Sequence, residues 1–289
     1  MRHTARSMML WLVGVAGALA LGPVVNTTGG AVRGTSKDGV NLFRDIPFAA
    51  PPIGSLRWAA PHPAASWSGV RDATKVGNQC PQLDVLGNED CLYLQLAVPE
   101  KCTPAAPCPV MFWIYGGAYV LGSDNEYGWY DPHDLAKAQD VVVVASNYRV
   151  GSLGFLALEA LARESGGTVG NWGTLDQTAA LRWAQKNLAA FGGDPGAVTL
   201  FGQSAGAISV CWHMASPGSR GLFHRAILES GTCDQPSFFQ RRADAVGFGE
   251  YAAAKAGCNS TEVSRRPATT QQPCNQPDAP PRGRHIPTL

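Results

Sequence analysis

Three short apolar runs set the main limit on what this chain can become. Pro109–Tyr115 (PVMFWIY), Val141–Asn147 (VVVVASN) and Val198–Phe201 (VTLF) are continuous enough to be strands buried on both faces, and stretches with helical character separate them. Arg225–Ser230 (RAILES) adds a fourth. Apolar strands alternating with helices predict an α/β fold: a mostly parallel central sheet with helices on both faces.

The third run leads into Gly202-Gln203-Ser204-Ala205-Gly206. This is G-x-S-x-G, in which a sharp strand-to-helix turn exposes a serine hydroxyl and the glycines let backbone pass closely. Five residues are a weak signal, because a serine in a glycine-rich turn is common. Context decides between the two. Upstream, Thr174 and Gln177 have capping-box spacing, Leu181, Ala184, Leu188 and Phe191 make an apolar stripe, and Gly192-Gly193 is a stop. A turn at Asp194-Pro195-Gly196 then precedes the strand, which completes the setting a nucleophile elbow requires.

Formal net charge is +1 over 289 residues, so nothing marks a nucleic-acid partner. At the N-terminus, Arg2 and Arg6 precede an apolar run from Met8 to Leu21 with Ala18-Leu19-Ala20 as a cleavage site. Residues 1–25 read as a secretory signal peptide, with an uncleaved anchor as the alternative; the run is short for a membrane span. Eight cysteines fit export to an oxidising compartment, though they allow on the order of a hundred pairings. Cys80 and Cys91 flank one loop, Cys102 and Cys108 another, and Cys233 and Cys258 bracket a helical stretch. Cys211 reads as a buried thiol and Cys274 has no obvious partner. Residues 259–289 carry six prolines and no aromatic residue, a composition that predicts disorder.

Several separated motifs give the chain a family likeness: IPFAAPPIGSLRW, EDCLYLQLAVP, WIYGGAYVLGS, NYRVGSLGFL, GNWGTLDQTAALRW, FGGDPGAVTLFGQSAG and GLFHRAILESG. In that order, over Ala31 to Cys258, they resemble the type-B carboxylesterase/lipase family of α/β-hydrolases, which includes the cholinesterases. The resemblance makes residues 26–258 the N-terminal part of such a domain, a secreted carboxylic ester hydrolase acting on small-molecule esters without cofactor or metal. It implies Ser204 as the nucleophile that becomes the acyl-enzyme, and backbone N–H groups of Gly116, Gly117 and Ala205 as the oxyanion hole. It further implies bridges Cys80–Cys91 and Cys233–Cys258, ion pairs Arg44–Glu89 and Arg149–Asp176, and the strand order 1-2-4-3-5-6-7-8, with the four runs above as strands 3, 4, 5 and 6.

Departures narrow the class. The Cys80–Cys91 loop has no tryptophan to face a quaternary ammonium, and Gln203 stands where cholinesterases have glutamate, which favours a general carboxylesterase. Asp45 and Gln95 also differ from the residues common in the family. In this fold the triad runs Ser, then Asp or Glu, then His. His213 lies nine residues along the helix, roughly 13 Å of rise from Ser204. His224 precedes its strand, and His285 is in the tail. Of the acids, Glu229 and Asp234 fall too early, and Glu262 and Asp278 are in the tail. The expectation is therefore an N-terminal half with nucleophile and oxyanion hole, no triad acid or histidine, and an uncovered edge at strand 6. A non-catalytic cholinesterase-like binding protein and a non-functional truncated product are the competing readings; the intact serine and glycines favour the enzyme lineage.

Overall fold

The computed structural model describes residues 20–82, 87–234 and 238–258. Residues 1–19, with most of the expected signal peptide, and 259–289, with the expected disordered tail, Cys274, His285, Glu262 and Asp278, lie outside them.

The strands are β1 (Ala20–Asn26), β2 (Ala31–Lys37), β3 (Val40–Pro47), β4 (Val70–Asp72), β5 (Tyr93–Pro99), β6 (Cys108–Ile114), β7 (Val142–Ser146), β8 (Gly193–Gln203) and β9 (Arg225–Glu229). They form one sheet in the order β1-β2-β3-β5-β7-β6-β8-β9, with β4 beside β2. From β1 to the β5–β7 pair the main path is antiparallel; β7, β6, β8 and β9 are mutually parallel, in the order expected for strands 4, 3, 5 and 6. The first strand takes in residues 20–25, which the sequence assigns to the leader; Val24 and Val25 pair with Arg33 and Val32.

Strand periodicity sorts the side chains to two faces. Phe43, Leu96, Val98, Val142 and Val144 join the main core with Ala180, Leu181 and Ala184 of α4 (Trp172–Asn187). Their neighbours Leu42, Ala97 and Val143 face the other way and meet Ala136 of α1 (His133–Gln139). Two short helices, α2 (Gly151–Phe155) and α3 (Glu159–Glu164), precede α4, while α5 (Ala205–Ala215) follows β8 and α6 (Arg242–Lys255) follows β9. Among the described residues no helix is long and apolar enough to cross a membrane.

Local details correct the sequence reading at four places. Helix α4 starts at Trp172 without a side-chain cap. Thr174 instead bonds Asn171 O at 2.9 Å from inside the first turn, and Gln177 turns into the core. The turn at Asp194 is absorbed into β8 as an irregularity, with Gly196 N–H donating to Asp194 Oδ1 at 2.8 Å. Arg44 pairs with Asp131, not Glu89, because Arg57 takes both carboxylate oxygens of Glu89. The fourth concerns cysteine. Cys80–Cys91 and Cys102–Cys108 are bridged, but Cys233 bonds Cys211, not Cys258, across a Cα separation of 5.3 Å. After β9 the chain doubles back along α5: a side chain at Gly231 would lie 2.8 Å from both Ala207 Cβ and Ser204 O. That close approach delivers Cys233 to the helix. Cys258, beyond α6, is disulfide-bonded elsewhere. Arg149 and Asp176 form the expected buried pair, with two side-chain contacts of 2.7 Å.

Candidate active site

Strand β8 ends at Gln203 and α5 begins at Ala205, which leaves one residue to make the turn. Ser204 makes it at φ 55°, ψ −122°, a conformation costing about 1–3 kcal/mol for a residue with a side chain. Its neighbours hold it there. A Cβ on Gly202 would sit 2.6 Å from Gly206 C, and one on Gly206 only 2.0 Å from Ile114 O. The strand, the elbow and the helix are therefore in backbone contact, which only glycine at both positions permits. Ser204 N–H donates to Glu229 O at 2.9 Å, and Ser204 O accepts from Ile208 N–H at 3.1 Å. Serine at an N-cap normally turns its hydroxyl onto the helix amides. Ser204 makes no such bond, so the hydroxyl is not committed to the fold.

Against the elbow lies the loop after β6. Gly116 runs so close that a Cβ there would stand 3.1 Å from Ser204 Cβ and 2.7 Å from Gln203 O. Gly117 follows at φ 93°, then Ala118 at 53° and Tyr119 at 63°. The glycine pair was visible in the sequence; the continuation of left-handed backbone through Ala118 and Tyr119 carries no residue-type signal. Gly117 O accepts from Val120 and Leu121 N–H, and Tyr119 O from Gly151 N–H at 2.6 Å. Ala205, the first residue of α5, presents the helix N-terminus and its favourable field for negative charge on the other side of Ser204. The structure thus brings together Ser204, Gly116, Gly117 and Ala205.

Side chains brace this loop. Tyr115 and Tyr148 stack at 4.3 Å and each hydroxyl donates to the other's carbonyl, at 2.9 and 3.0 Å. Gln82 clamps Gly122, accepting from its N–H and donating to its carbonyl. Gln95, one of the departures, donates to Asp124 O at 2.7 Å. Asp124 is itself buried, which pushes its carboxyl up to about 8; Asp45 adds to the rise and Arg44 opposes it.

His213 is buried within a chain of hydrogen bonds, and burial holds its pKa down at about 3. Gln177 Nε2 donates to Ser209 Oγ at 3.2 Å, which turns Gln177 Oε1 toward His213 Nε2 at 3.1 Å. His213 Nδ1 then accepts from Ser219 Oγ at 2.8 Å, and Ser209 donates to Tyr119 Oη at 3.1 Å. The chain reaches the loop but not Ser204. His224 Nδ1 accepts from Val198 N–H at 3.3 Å, away from the elbow, and Glu229 and Asp234 are exposed. No group of His, Cys, Asp and Glu that could hold a metal ion occurs among the described residues.

The family model of the carboxylesterase family matches residues 22–274, beyond both ends of the motif series. Pyrethroid hydrolase Ces2a of Mus musculus is 41% identical over 281 residues, covering 89% of this chain and 48% of the relative. Para-nitrobenzyl esterase of Bacillus subtilis (strain 168) is 44% identical over 218 residues, 72% and 43% respectively. Among solved structures, a PNB esterase superposes with TM-score 0.78 at 39% identity, covering 87% of this chain and 52% of that one. A Geobacillus stearothermophilus carboxylesterase, EST55, gives 0.77 at 42%, with 84% and 51% covered. The chain spans about half the length of the curated relatives it matches.

Proposed function

The chain belongs to the carboxylesterase family, and on that premise we propose that it carries the nucleophilic half of a carboxylic ester hydrolase. Ser204 Oγ attacks the carbonyl carbon of a small-molecule ester. The oxyanion that forms is met by the backbone N–H groups of Gly116, Gly117 and Ala205, donors fixed before the reaction begins. The C–O bond to the alcohol then breaks, the alcohol leaves with the proton that Ser204 Oγ gave up, and the acyl group remains on Ser204 until water releases it as the carboxylic acid and restores the hydroxyl. The observation that carries this reading is the elbow itself: a serine with φ 55°, locked between glycines in backbone contact with β6, whose hydroxyl is not used to cap its helix.

Neither the acid nor the base of a triad comes from the described residues in this reading. His213 is supported as structural by its burial and its bonds to Ser219 and Gln177, and His224 by its bond to Val198. A serine without an adjacent base is a weak nucleophile, so the chain alone hydrolyses esters poorly or not at all. Three bridges support an oxidising destination, that of a secreted protein. Turnover of a short-chain aryl ester, together with mass-spectrometric mapping of a fluorophosphonate adduct, tests the assignment. The expected result is slow labelling confined to Ser204 and absent in Ser204→Ala. Rapid turnover abolished by that substitution would reveal a base among the residues of this chain, and turnover that survives it would remove Ser204 from the chemistry.

A further inference from the structure

Helix α4 presents a mixed face, part apolar and part basic, at the margin of the core. Leu175, Ala179, Arg182, Trp183 and Lys186 follow one another at helical spacing along a single face. That face is met by residues 60–67, an irregular strap stiffened by Pro61 and Pro63, and between helix and strap lies an open groove of about 390 Å³. Its size is within the range of about 300–1,000 Å³ found for small-molecule sites.

The walls are preformed. The indole of Trp67 donates to Ala31 O at 2.8 Å and packs on Gly29 and Gly30, where a Cβ would come within 2.7 and 2.6 Å of the ring. Trp183 and Phe48 supply further aromatic surface, both nearly buried. The rim is basic. Arg182 and Lys186 are exposed, stand four residues apart on the same face, and have no carboxylate partner among the described residues. No Asp or Glu among the described residues lines the groove. Like charges at this spacing destabilise a helix, a cost that an anion between them removes. Arg182 is partly held in place by donating to Gly218 O at 3.1 Å. None of the lining residues belongs to the elbow or to the loop after β6.

We propose that this groove binds a small amphiphilic carboxylate, an aromatic or medium-chain acid, with its apolar body against Trp67 and Trp183 and its carboxylate between Arg182 and Lys186. The site is separate from Ser204 and does not depend on the ester-hydrolase reading. Sodium decanoate is the probe, titrated near neutral pH into the full chain and followed by tryptophan fluorescence and calorimetry, with decan-1-ol and decyltrimethylammonium as comparators. Decanoate should bind saturably and more tightly than either comparator, and added salt should weaken it. The double substitution Arg182→Gln/Lys186→Gln, at solvent-facing positions, should lower its affinity about 2- to 30-fold. Ala179→Phe keeps both charges but fills the groove, and should abolish binding; a circular dichroism melt confirms that each variant is folded, and if Ala179→Phe is not, the charge variant decides. Decanoate affinity unchanged by the folded variants, equal affinity for the alcohol or the cation, or no saturable binding overturns the proposal.

Discussion

Asp124→Asn should remove the loss of stability with rising pH that the buried Asp124 carboxyl imposes. Burial pushes the Asp124 carboxyl up to about 8 from an ordinary 3.8, so in the folded chain it keeps its proton across a range where the unfolded chain has lost it. The folded state then binds one proton more than the unfolded state, and stability falls by about 1.4 kcal/mol per pH unit between those two values. His213 works the other way. Its folded pKa of about 3, against an ordinary 6.5, means the unfolded state holds the extra proton, and stability rises with pH over that interval. The two slopes cancel from about pH 4 to 6.5, and above that Asp124 alone acts, removing about 2 kcal/mol by pH 8. Asparagine removes the titration while keeping the shape, and every group common to both chains cancels in the difference. Urea unfolding of parent and variant at several pH values between mild acid and mild base measures it. The stability of Asp124→Asn relative to the parent should climb by about 1.4 kcal/mol per unit until about pH 8 and then level off. Parallel curves for the two chains would show that Asp124 ionises normally and that its burial is relieved by a group the structure does not place beside it.

Gly206→Ala puts a methyl group 2.0 Å from Ile114 O, and is expected to cost about 3 kcal/mol or more, read as a lowered denaturation midpoint or loss of soluble protein. Non-reducing peptide mapping should recover Cys211 joined to Cys233; opening that bridge in Cys211→Ser should cost about 3 kcal/mol, and a Cys233–Cys258 peptide would contradict the structure. Among the described residues β9 has a strand partner on one side only, and Ile227 is 42% exposed on it. Ile227→Lys should therefore shift the chain toward monomer in size-exclusion chromatography, since charge on an open edge opposes strand pairing between copies; an unchanged profile would mean that this edge does not associate.

What could be read beforehand is what rests on periodicity and on glycine. PVMFWIY, VVVVASN and VTLF announced buried parallel strands because residues covered on both faces leave no alternation, and Gly202 and Gly206 announced the elbow because no other residue fits. The bridges and ion pairs were another matter. Family likeness joined Cys233 to Cys258 and left Cys211 a thiol, but the deciding fact was that Gly231 lets the chain pass against Ser204, a three-dimensional event with no local signature. Arg44 lost Glu89 for a similar reason: Arg57, which the family likeness did not single out, takes both carboxylate oxygens. Gln177 has the spacing of a capping residue, yet its amide is used between α4 and α5, where it links Ser209 to His213. Burial turned a surface motif into an interior one, and spacing alone does not report burial.

The Cys211–Cys233 bridge has a consequence for the order of events during synthesis. Gly116, Ser204 and Cys233 emerge from the ribosome in that sequence, as synthesis proceeds at about 5–20 residues per second. In the folded chain Cys233 meets Cys211 with β9 paired along β8 and the segment after it folded back over α5. Oxidation of this pair fixes that arrangement around the elbow, on a timescale of about seconds to hours set by the oxidant. In a pulse-labelled nascent chain, the reactivity of Cys211 toward a thiol alkylator would serve as a clock for the formation of the nucleophile's surroundings, readable without any substrate.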